Sequence, residues 1–586
     1  MKDLKFKDFL SKDGIAHVDA PQWFKKRIDI RKAFPLPYRE EPDTLAAIVS
    51  DAITKVDNLK HQKGGPSLLG DGPFDPRGPR YQEAQKAQLA PHMQGLAETI
   101  DQSVALFKGL SNWNHPLVMP NVIPPANIAS MTAAMLTEVF SPNIIEGEYS
   151  WNVELAELES TAMLARLLGW DPGIAGGLYT FGGSGCYFYG LKYALTRVLG
   201  KESRLTGIRT DGKVLVSQQG HYCKMNSTDW TGLGMNNIIS IETDPDANCM
   251  DIECLEEVME ELYKAGTPII SIICTMGSTD AFAVDPVKKV RELIEKYPNP
   301  PGFGRPFLYC DAVIGWAWLC FKSYDFEENS MQFRPQVLGA IKANMEAIKQ
   351  MEYADAVGCD FHKVGWSPYN CSLFMVKDIG EYQRLMSRPG SDYLQERTSY
   401  NPGNYTLEVS RSGAYAMAGW ATLKYFGHEG FQAVLGGILE VQQELRERIQ
   451  QEADMVCVNP DDNGFVTLFR IYPSDVNASV QYAKELSWSD CQDELMKHNR
   501  LQEKVADTLW DWYKEGRVID GCHLTYTSLS TGFRPTEYNR DESDPDAMIY
   551  GLKSFPMNVF IDAESMDTLV KVVKAARDEV IKEGWL

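Results

Sequence analysis

Apolar positions recur along this chain in two rhythms. Between Glu154 and Leu168, Leu155, Leu158, Ala162 and Ala165 lie three or four residues apart, which places them on one helical face, and Gly169 supplies the stop. Lys213 to Ser217 is a short β-rich run. Helical spacing returns from Ile252 to Ala265 through Leu255, Val258 and Leu262, closed by Gly266, and the Ile-rich run Pro268 to Cys274 then has the composition of a strand buried on both faces. Asp285-Pro286 predicts an N-cap with proline at the first position of a helix to Tyr297. Pro306 to Ala312 reads as the next strand, the short apolar run that ends in the His362-Lys363 pair as a later one, and Cys371 to Val376 as a strand returning from it. Strand and helix alternate in this way from residue 125 onward, the pattern of a largely parallel sheet with covering helices.

The flanks differ. Residues 1–110 are charged and proline-rich, with Pro35, Pro37 and Pro42 before a helix-like Thr44 to Val56. A Gly/Pro-rich loop follows from Lys63 to Arg80, then helical signal at Gln82 to Ala90 and, past a break at Pro91, from His92 to Leu106. Beyond residue 440, Met455 to Val458 and Gly464 to Tyr472 predict strands, Leu501 to Lys514 is amphipathic, and a helix is expected from Met566 to Lys582. The chain therefore divides into an N-terminal arm (1–110), a large α/β domain (111–440) and a small C-terminal α+β domain (441–586). It holds no internal repeat and no low-complexity tract.

Composition narrows the function. The chain has 586 residues, too many for one ordinary core, and its 58 basic and 80 acidic residues leave a net charge of −22, which argues against a nucleic-acid or anionic-membrane surface. Its 12 cysteines are scattered without Cys-x-x-Cys or zinc spacing, so no metal is expected and a reducing compartment is. The N-terminus lacks a secretory apolar core, and the most apolar stretch, Phe307 to Phe321, is interrupted by Asp311 and too short to span a bilayer. These features together predict a cytoplasmic protein.

Several polar residues stand where packing alone does not call for them. Lys363, in Asp360-Phe361-His362-Lys363, follows a buried strand. Its ammonium is costly to bury unless paired, and a desolvated lysine amine is a nucleophile for carbonyl groups, although a lysine after a strand also simply reaches solvent. Thr180 to Gly185 could present backbone donors of Gly183, Ser184 and Gly185 to a phosphate at the start of a helix from Tyr187, or be an ordinary glycine-rich turn. Asp311 closes an apolar strand, where a carboxylate needs a cationic partner or a turn to cap. His221 follows a strand and a glycine, as a residue projecting over the sheet edge or as a plain loop histidine. Thr275 and Ser278 lie in a small-residue turn that turn chemistry alone would explain. His362 is a site residue or a packed strand-end histidine, and Arg411 holds a carboxylate or makes a surface ion pair.

In chain order, Thr180-Phe181-Gly182-Gly183-Ser184-Gly185, Gly220-His221-Tyr222, Cys310-Asp311-Ala312, Asp360-Phe361-His362-Lys363 and Ser410-Arg411-Ser412-Gly413 resemble the motifs of the group II pyridoxal-5′-phosphate-dependent amino-acid decarboxylases, over residues 110–440. The resemblance implies the α/β architecture of PLP fold-type I, with a mainly parallel large-domain sheet and helices on both its faces. It implies that Lys363 binds the cofactor aldehyde and that Asp311 faces the pyridine nitrogen. By the same resemblance His221 stacks on the ring, while His362 and the Gly183–Gly185 turn hold the phosphate, with Thr275 and Ser278 close by. A loop within Met386 to Tyr405 is expected to bring Tyr393 or Tyr400 to the reacting carbon. The chain departs from the family pattern at Gly185-Cys186-Tyr187, where a larger residue, Ala and Asn are usual, and at Val313-Ile314, where Ala and an aromatic are.

The implied activity is α-decarboxylation of an L-amino acid, in a homodimer whose N-terminal arm packs on the other subunit. His115 to Asn127 resembles the family stretch lining the substrate side-chain pocket and is apolar here, which favours an aromatic or aliphatic side chain over glutamate. Gly277-Ser278-Thr279 and Ala283-Val284-Asp285 are similar to segments of bacterial tyrosine decarboxylases. An aldehyde synthase, a carbon–carbon lyase or a non-catalytic paralogue would share the same anchors.

Overall fold

The structure is a computed structural model describing residues 5–585 apart from 12–14, 40–43, 73–79, 120, 245–246, 389–393, 395–396, 460–463, 488–491, 520–521, 524–527 and 534–548. The chain forms two compact units, Met1–Asn112 with Lys514–Gly516, and Trp113–Tyr513 with Arg517–Leu586.

The smaller unit carries the helices Gln22–Arg31, Thr44–Asp57 and Leu96–Ala105. Phe9 and Phe24 are buried against each other with ring centroids 5.2 Å apart, while Phe6 and Trp23 pack on them half in solvent. The helix expected over 82–90 ends at Ala84, and the one expected from His92 begins at Leu96. Residues 80–98 are exposed throughout, so no tertiary burial extends a weak local propensity.

In the larger unit a seven-stranded sheet is built from β1 (Gly176–Phe181), β2 (Lys213–Ser217), β3 (Ile238–Ile241), β4 (Ile269–Thr275), β5 (Phe307–Asp311), β6 (Ala356–Asp360) and β7 (Cys371–Val376), in the order β1-β7-β6-β5-β4-β2-β3. Neighbours pair in parallel except that β7 runs antiparallel to both β1 and β6. Every residue of β4, β5, β6 and β7 is buried, and successive side chains alternate between two cores. Ile272, Leu308 and Val357 join the core containing Leu164 and Leu168 of the helix Glu154–Leu168. Ile273, Tyr309 and Phe374 join the core containing Leu191, Ala194 and Leu195 of the helix Gly183–Leu199. Helices thus cover both faces, and the strands read as continuous apolar runs for that reason.

A four-stranded antiparallel sheet of Met455–Cys457, Thr467–Ile471, Ile549–Ser554 and Ser528–Phe533 lies in the C-terminal third. Leu445, Phe469, Leu501, Val505, Leu569 and Val573 share its core. Residue 440 falls inside the helix Ala414–Gln451, which kinks at Gly427, so the backbone runs unbroken through the position where the sequence pattern changes. Among the described residues no helix is long and apolar enough to cross a membrane.

One local expectation is overturned. Asp285 does not cap the helix Val287–Lys296, whose N-cap is Pro286 without a side-chain bond. Its carboxylate instead accepts the backbone N–H groups of Thr275 and Met250, both at 2.7 Å, and ties the end of β4 to a neighbouring loop. Two well-aligned backbone donors in a buried place satisfy it better than a helix end would, and burial pushes its pKa up to about 7.

Candidate active site

Because all the strands but β7 run in one direction, the C-terminal ends of β1, β2, β4, β5 and β6 and the start of β7 meet along one edge. Thr275, Asp311 and Gly358 are register partners there, and Asp360 lies opposite Ser372. A cavity of about 370 Å³ opens at this edge.

Lys363 reaches it from the turn after β6. The N–H groups of Phe361 and His362 both donate to the Cys371 carbonyl, at 2.9 and 3.1 Å, which pins the turn to β7. Lys363 Nζ lies 2.8 Å from Asp360 Oδ2, and the Ser372 hydroxyl donates to Oδ1 at 2.6 Å. Burial opposes a charge on Asp360, but Lys363 and His362 outweigh it and hold the carboxyl below its ordinary range. Lys363 in turn is held above the usual lysine value, Asp360 overcoming the effect of burial. His362 Nδ1 lies 3.0 Å from the Cys371 carbonyl and its Nε2 3.4 Å from Asp360 Oδ2, and its ring packs on Tyr369.

Gly182 links β1 to the helix Gly183–Leu199 with φ +87°, a conformation that favours glycine. A Cβ at Gly183 would sit 3.1 Å from Asp360 Oδ2 and from Val313 Cγ1, so glycine lets backbone line the cavity without pressing on either side chain. The Gly182 carbonyl accepts from Gly185 and Cys186, which leaves the N–H groups of Gly183 and Ser184 as the open donors of the helix start, facing an anion-sized space with Ser184's side chain. Gly185 is buried one step further into the helix, packed on Thr180 rather than lining the cavity.

Asp311, at the end of β5, forms the floor. Burial raises its carboxyl to about 6 against the pull of Lys363, and its one backbone contact, from the Val313 N–H at 3.4 Å, is weak. A buried carboxylate so poorly satisfied fits a cationic ring nitrogen. His221 also lines the cavity, where burial and the Lys363 charge push it down to about 4, so its imidazole is neutral. Tyr187, Tyr222 and Tyr369 complete the wall with Phe181.

Of the expected site residues, Lys363, His362, Asp311, His221, Gly183 and Ser184 come together around this cavity. Thr275 and Ser278 lie behind it. Thr275 Oγ1 is buried without a hydrogen-bond partner among the described residues, and Ser278 Oγ accepts from Ala283 N at 3.0 Å. Tyr400 is buried elsewhere, its hydroxyl donating to Glu157 at 2.8 Å, and Tyr393 lies outside the described residues. Arg411 pairs with the same Glu157 at 2.5 Å and donates to the Tyr179 carbonyl at 3.0 Å, a buried brace beneath β1.

The stretch His115 to Asn127 does not line the cavity among the described residues. Val118, Met119 and Val122 are buried in the core, Met119 beside Leu445 and Phe469. Asn127 donates to the Trp366 carbonyl at 2.8 Å, so the segment braces the turn that follows Lys363. Its apolar character answers to packing.

Cys223, Tyr369 and Asn370 line the cavity without having been singled out in the sequence, and Tyr187, noted there as a departure from the family pattern, joins them. The returning strand was the available signal: an antiparallel β7 must begin at the edge where β6 ends, which brings residues 369 and 370 to the site.

Comparison with known proteins identifies the family and the fold. The pyridoxal-dependent decarboxylase conserved domain matches residues 79–471. An L-2,4-diaminobutyrate decarboxylase of Acinetobacter baumannii is 23% identical over 398 residues, 65% of this chain and 72% of that protein. An L-tyrosine decarboxylase of Enterococcus faecium is 25% identical over 401 residues, so that the chain spans 63% of that relative's length. Among solved structures, mouse CSAD superposes with TM-score 0.72 at 15% identity over 92% of this chain and 99% of its own. Oryza sativa TDC with PLP and tryptamine gives 0.70 at 15% identity, over 93% and 99%. At such identity the structural likeness speaks for the fold alone.

Proposed function

The chain belongs to the pyridoxal-dependent decarboxylase family, and from that premise we propose that it releases the α-carboxyl group of an L-amino acid with an aromatic or other apolar side chain, using pyridoxal 5′-phosphate held by Lys363. The residues present fit that group. Open N–H donors and the positive end of the helix at Gly183 and Ser184 suit a phosphate, the under-satisfied Asp311 suits a pyridinium nitrogen, and Lys363 suits an aldehyde.

When bound, the cofactor supplies an aldehyde to capture an amine and a ring that accepts the electron pair left by departing carbon dioxide. The protein's own residues do the rest. The ion pair with Asp360 orients Lys363 Nζ at the cavity wall, where an aldehyde would be held. Asp311, charged above about pH 6, keeps a ring nitrogen protonated. His221, neutral at Nδ1, offers its other nitrogen to the substrate side of the cavity.

The observation that carries the substrate class is the composition of the cavity wall. Its ionisable side chains other than tyrosines and Cys223 are Asp311, Asp360, Lys363, His221 and His362, all engaged in holding the cofactor and reacting groups, and the remainder is chiefly Phe181, Tyr187, Tyr222, Val313 and Tyr369. Among the described residues the wall holds no spare cation for an acidic side chain and no spare carboxylate for a basic one. The test is carbon dioxide release by the full-length protein with pyridoxal phosphate, offered tyrosine, phenylalanine, tryptophan, leucine, glutamate and 2,4-diaminobutyrate. Aromatic or apolar substrates should exceed the charged ones by about 100-fold in kcat/KM, amine should form in step with carbon dioxide, and Lys363→Ala should abolish both. Preference for glutamate or diaminobutyrate would overturn the substrate class, and aldehyde with ammonia would overturn the reaction.

A homodimer is the assembly that best explains the surface. On the helix Ile128–Phe140, Ile128, Met131, Met135, Leu136 and Phe140 are exposed, and Trp151, Leu155 and Leu158 are exposed nearby in sequence. Phe181 and Tyr222 at the cavity are 41% and 64% exposed, which leaves the site wetter than carbanion chemistry tolerates until something covers it. A second copy of this chain is the proposed cover.

A further inference from the structure

We propose that Cys223 is a positioning residue for His221: its thiol and its backbone N–H both donate to Nδ1, so the imidazole carries its proton on Nε2 and presents Nε2–H to the cavity. The inference rests on the reading of this cavity as the decarboxylase site. His221 Nδ1 lies 3.2 Å from the Cys223 backbone nitrogen and 3.0 Å from Cys223 Sγ. A backbone N–H can only donate, so Nδ1 must be bare, and the thiol hydrogen is then the one that fits between sulfur and nitrogen.

The backbone explains why this arises. Cys223 opens the helix Cys223–Trp230, and its N–H is one of the donors that no preceding helical carbonyl can satisfy. His221, two residues earlier, folds back and caps it. The positive end of the helix disfavours an imidazolium there. Burial keeps the thiol protonated, well above its ordinary range, while burial and Lys363 keep the imidazole neutral, so donor and acceptor roles are stable at neutral pH. The chemical consequence is a neutral donor at Nε2. It can hydrogen-bond an anionic oxygen of the substrate without adding charge, and it cannot remove a proton from that side.

The test is ring-¹⁵N-histidine NMR on the full-length protein, with and without pyridoxal phosphate, the His221 signal being assigned by its loss in His221→Gln. Wild type should show a bare Nδ1 and a protonated Nε2 in both states. Cys223→Ala loses the thiol but keeps the backbone donor, so it should weaken the preference and populate the other tautomer in part, lowering kcat by up to about tenfold, the worth of one hydrogen bond, with KM little changed. Cys223→Ser, which keeps a donor, should restore both. A protonated Nδ1 in wild type overturns the inference even if the alanine variant does not fold, as does a Cys223→Ala protein that matches wild type in tautomer and turnover. Because the tautomer is read without turnover, it separates from the proposed activity: carbon dioxide release with the wrong tautomer sinks only this inference, and the right tautomer without carbon dioxide release sinks only the activity.

Discussion

Replacing Arg411 with methionine should destabilise the larger unit by about 3–5 kcal/mol at neutral pH, the cost of leaving one partner of a buried ion pair uncompensated. Glu157 is 2% exposed and is held on three sides, by Arg411 Nη2 at 2.5 Å, the Tyr179 N–H at 2.7 Å and the Tyr400 hydroxyl at 2.8 Å. Against the effect of burial, Glu157 keeps the guanidinium charged. Methionine fills most of the volume but removes the charge and strands the carbonyls of Tyr179 and Ile144 that Arg411 also serves. The remaining neutral donors cannot balance the carboxylate. Guanidinium unfolding followed by tryptophan fluorescence would measure the loss as a shift in midpoint at unchanged slope. Adding Glu157→Gln to Arg411→Met should recover part of the loss. A single variant within about 1 kcal/mol of wild type, or a double variant no better than the single, would refute the assignment of this pair as a buried brace.

Two further outcomes are expected. In the ligand-free protein Asp311 titrates near 6 rather than at its ordinary 3.8, so the folded state retains a proton that the unfolded state has lost between those values, and this residue's contribution to stability falls as pH rises through that window. Compared with Asp311→Asn, wild type should lose up to about 3 kcal/mol of relative stability from pH 4 to pH 7 in thermal unfolding, and a flat difference would show that Asp311 is not desolvated. On the exposed face of the helix Ile128–Phe140, Leu136→Glu should turn a sedimenting dimer into a poorly active monomer, and a wild-type monomer with full activity would rule out a second copy as the cover.

The elements that the sequence located to the residue share one property: their ends follow from local pattern, although the expected apolar face of Glu154–Leu168 is only partly the buried one, since Leu155 and Leu158 are exposed and Ala156, Leu164, Ala165 and Leu168 pack instead. The helices Glu154–Leu168 and Ile252–Ala265 are closed by Gly169 and Gly266 in left-handed conformation, and β2 and β7 are short runs packed on both faces. Where partners are remote, the same pattern misled. Asp285 carries the spelling of a helix cap, yet two backbone N–H groups, one of them 35 residues away, claim its carboxylate. The apolar stretch from His115 to Asn127 reads as pocket wall, yet its Met119 packs with Leu445 and Phe469 of the C-terminal third, which no local pattern reports. Tyr400 could not be separated from Tyr393 by spacing, and the Glu157 carboxylate that engages it lies 243 residues away.

The site motifs were legible for a different reason. A parallel strand delivers whatever follows it to one edge of the sheet, so a polar residue just past an apolar run is located in space by its place in the sequence, without knowledge of any contact. Asp311 and Lys363 obey that rule, and so does Ser184 past β1. The rule fixes the edge but not the orientation. His221 lies four residues beyond β2, and its ring is aimed by the first turn of the next helix, through the Cys223 N–H and thiol. Tyr369 and Asn370 follow the inverse rule, since β7 alone runs against the rest and delivers what precedes it. A sheet with one reversed strand therefore builds this cavity from residues after four strands and before a fifth, and the reversed strand accounts for the part of the wall that forward reading passes over.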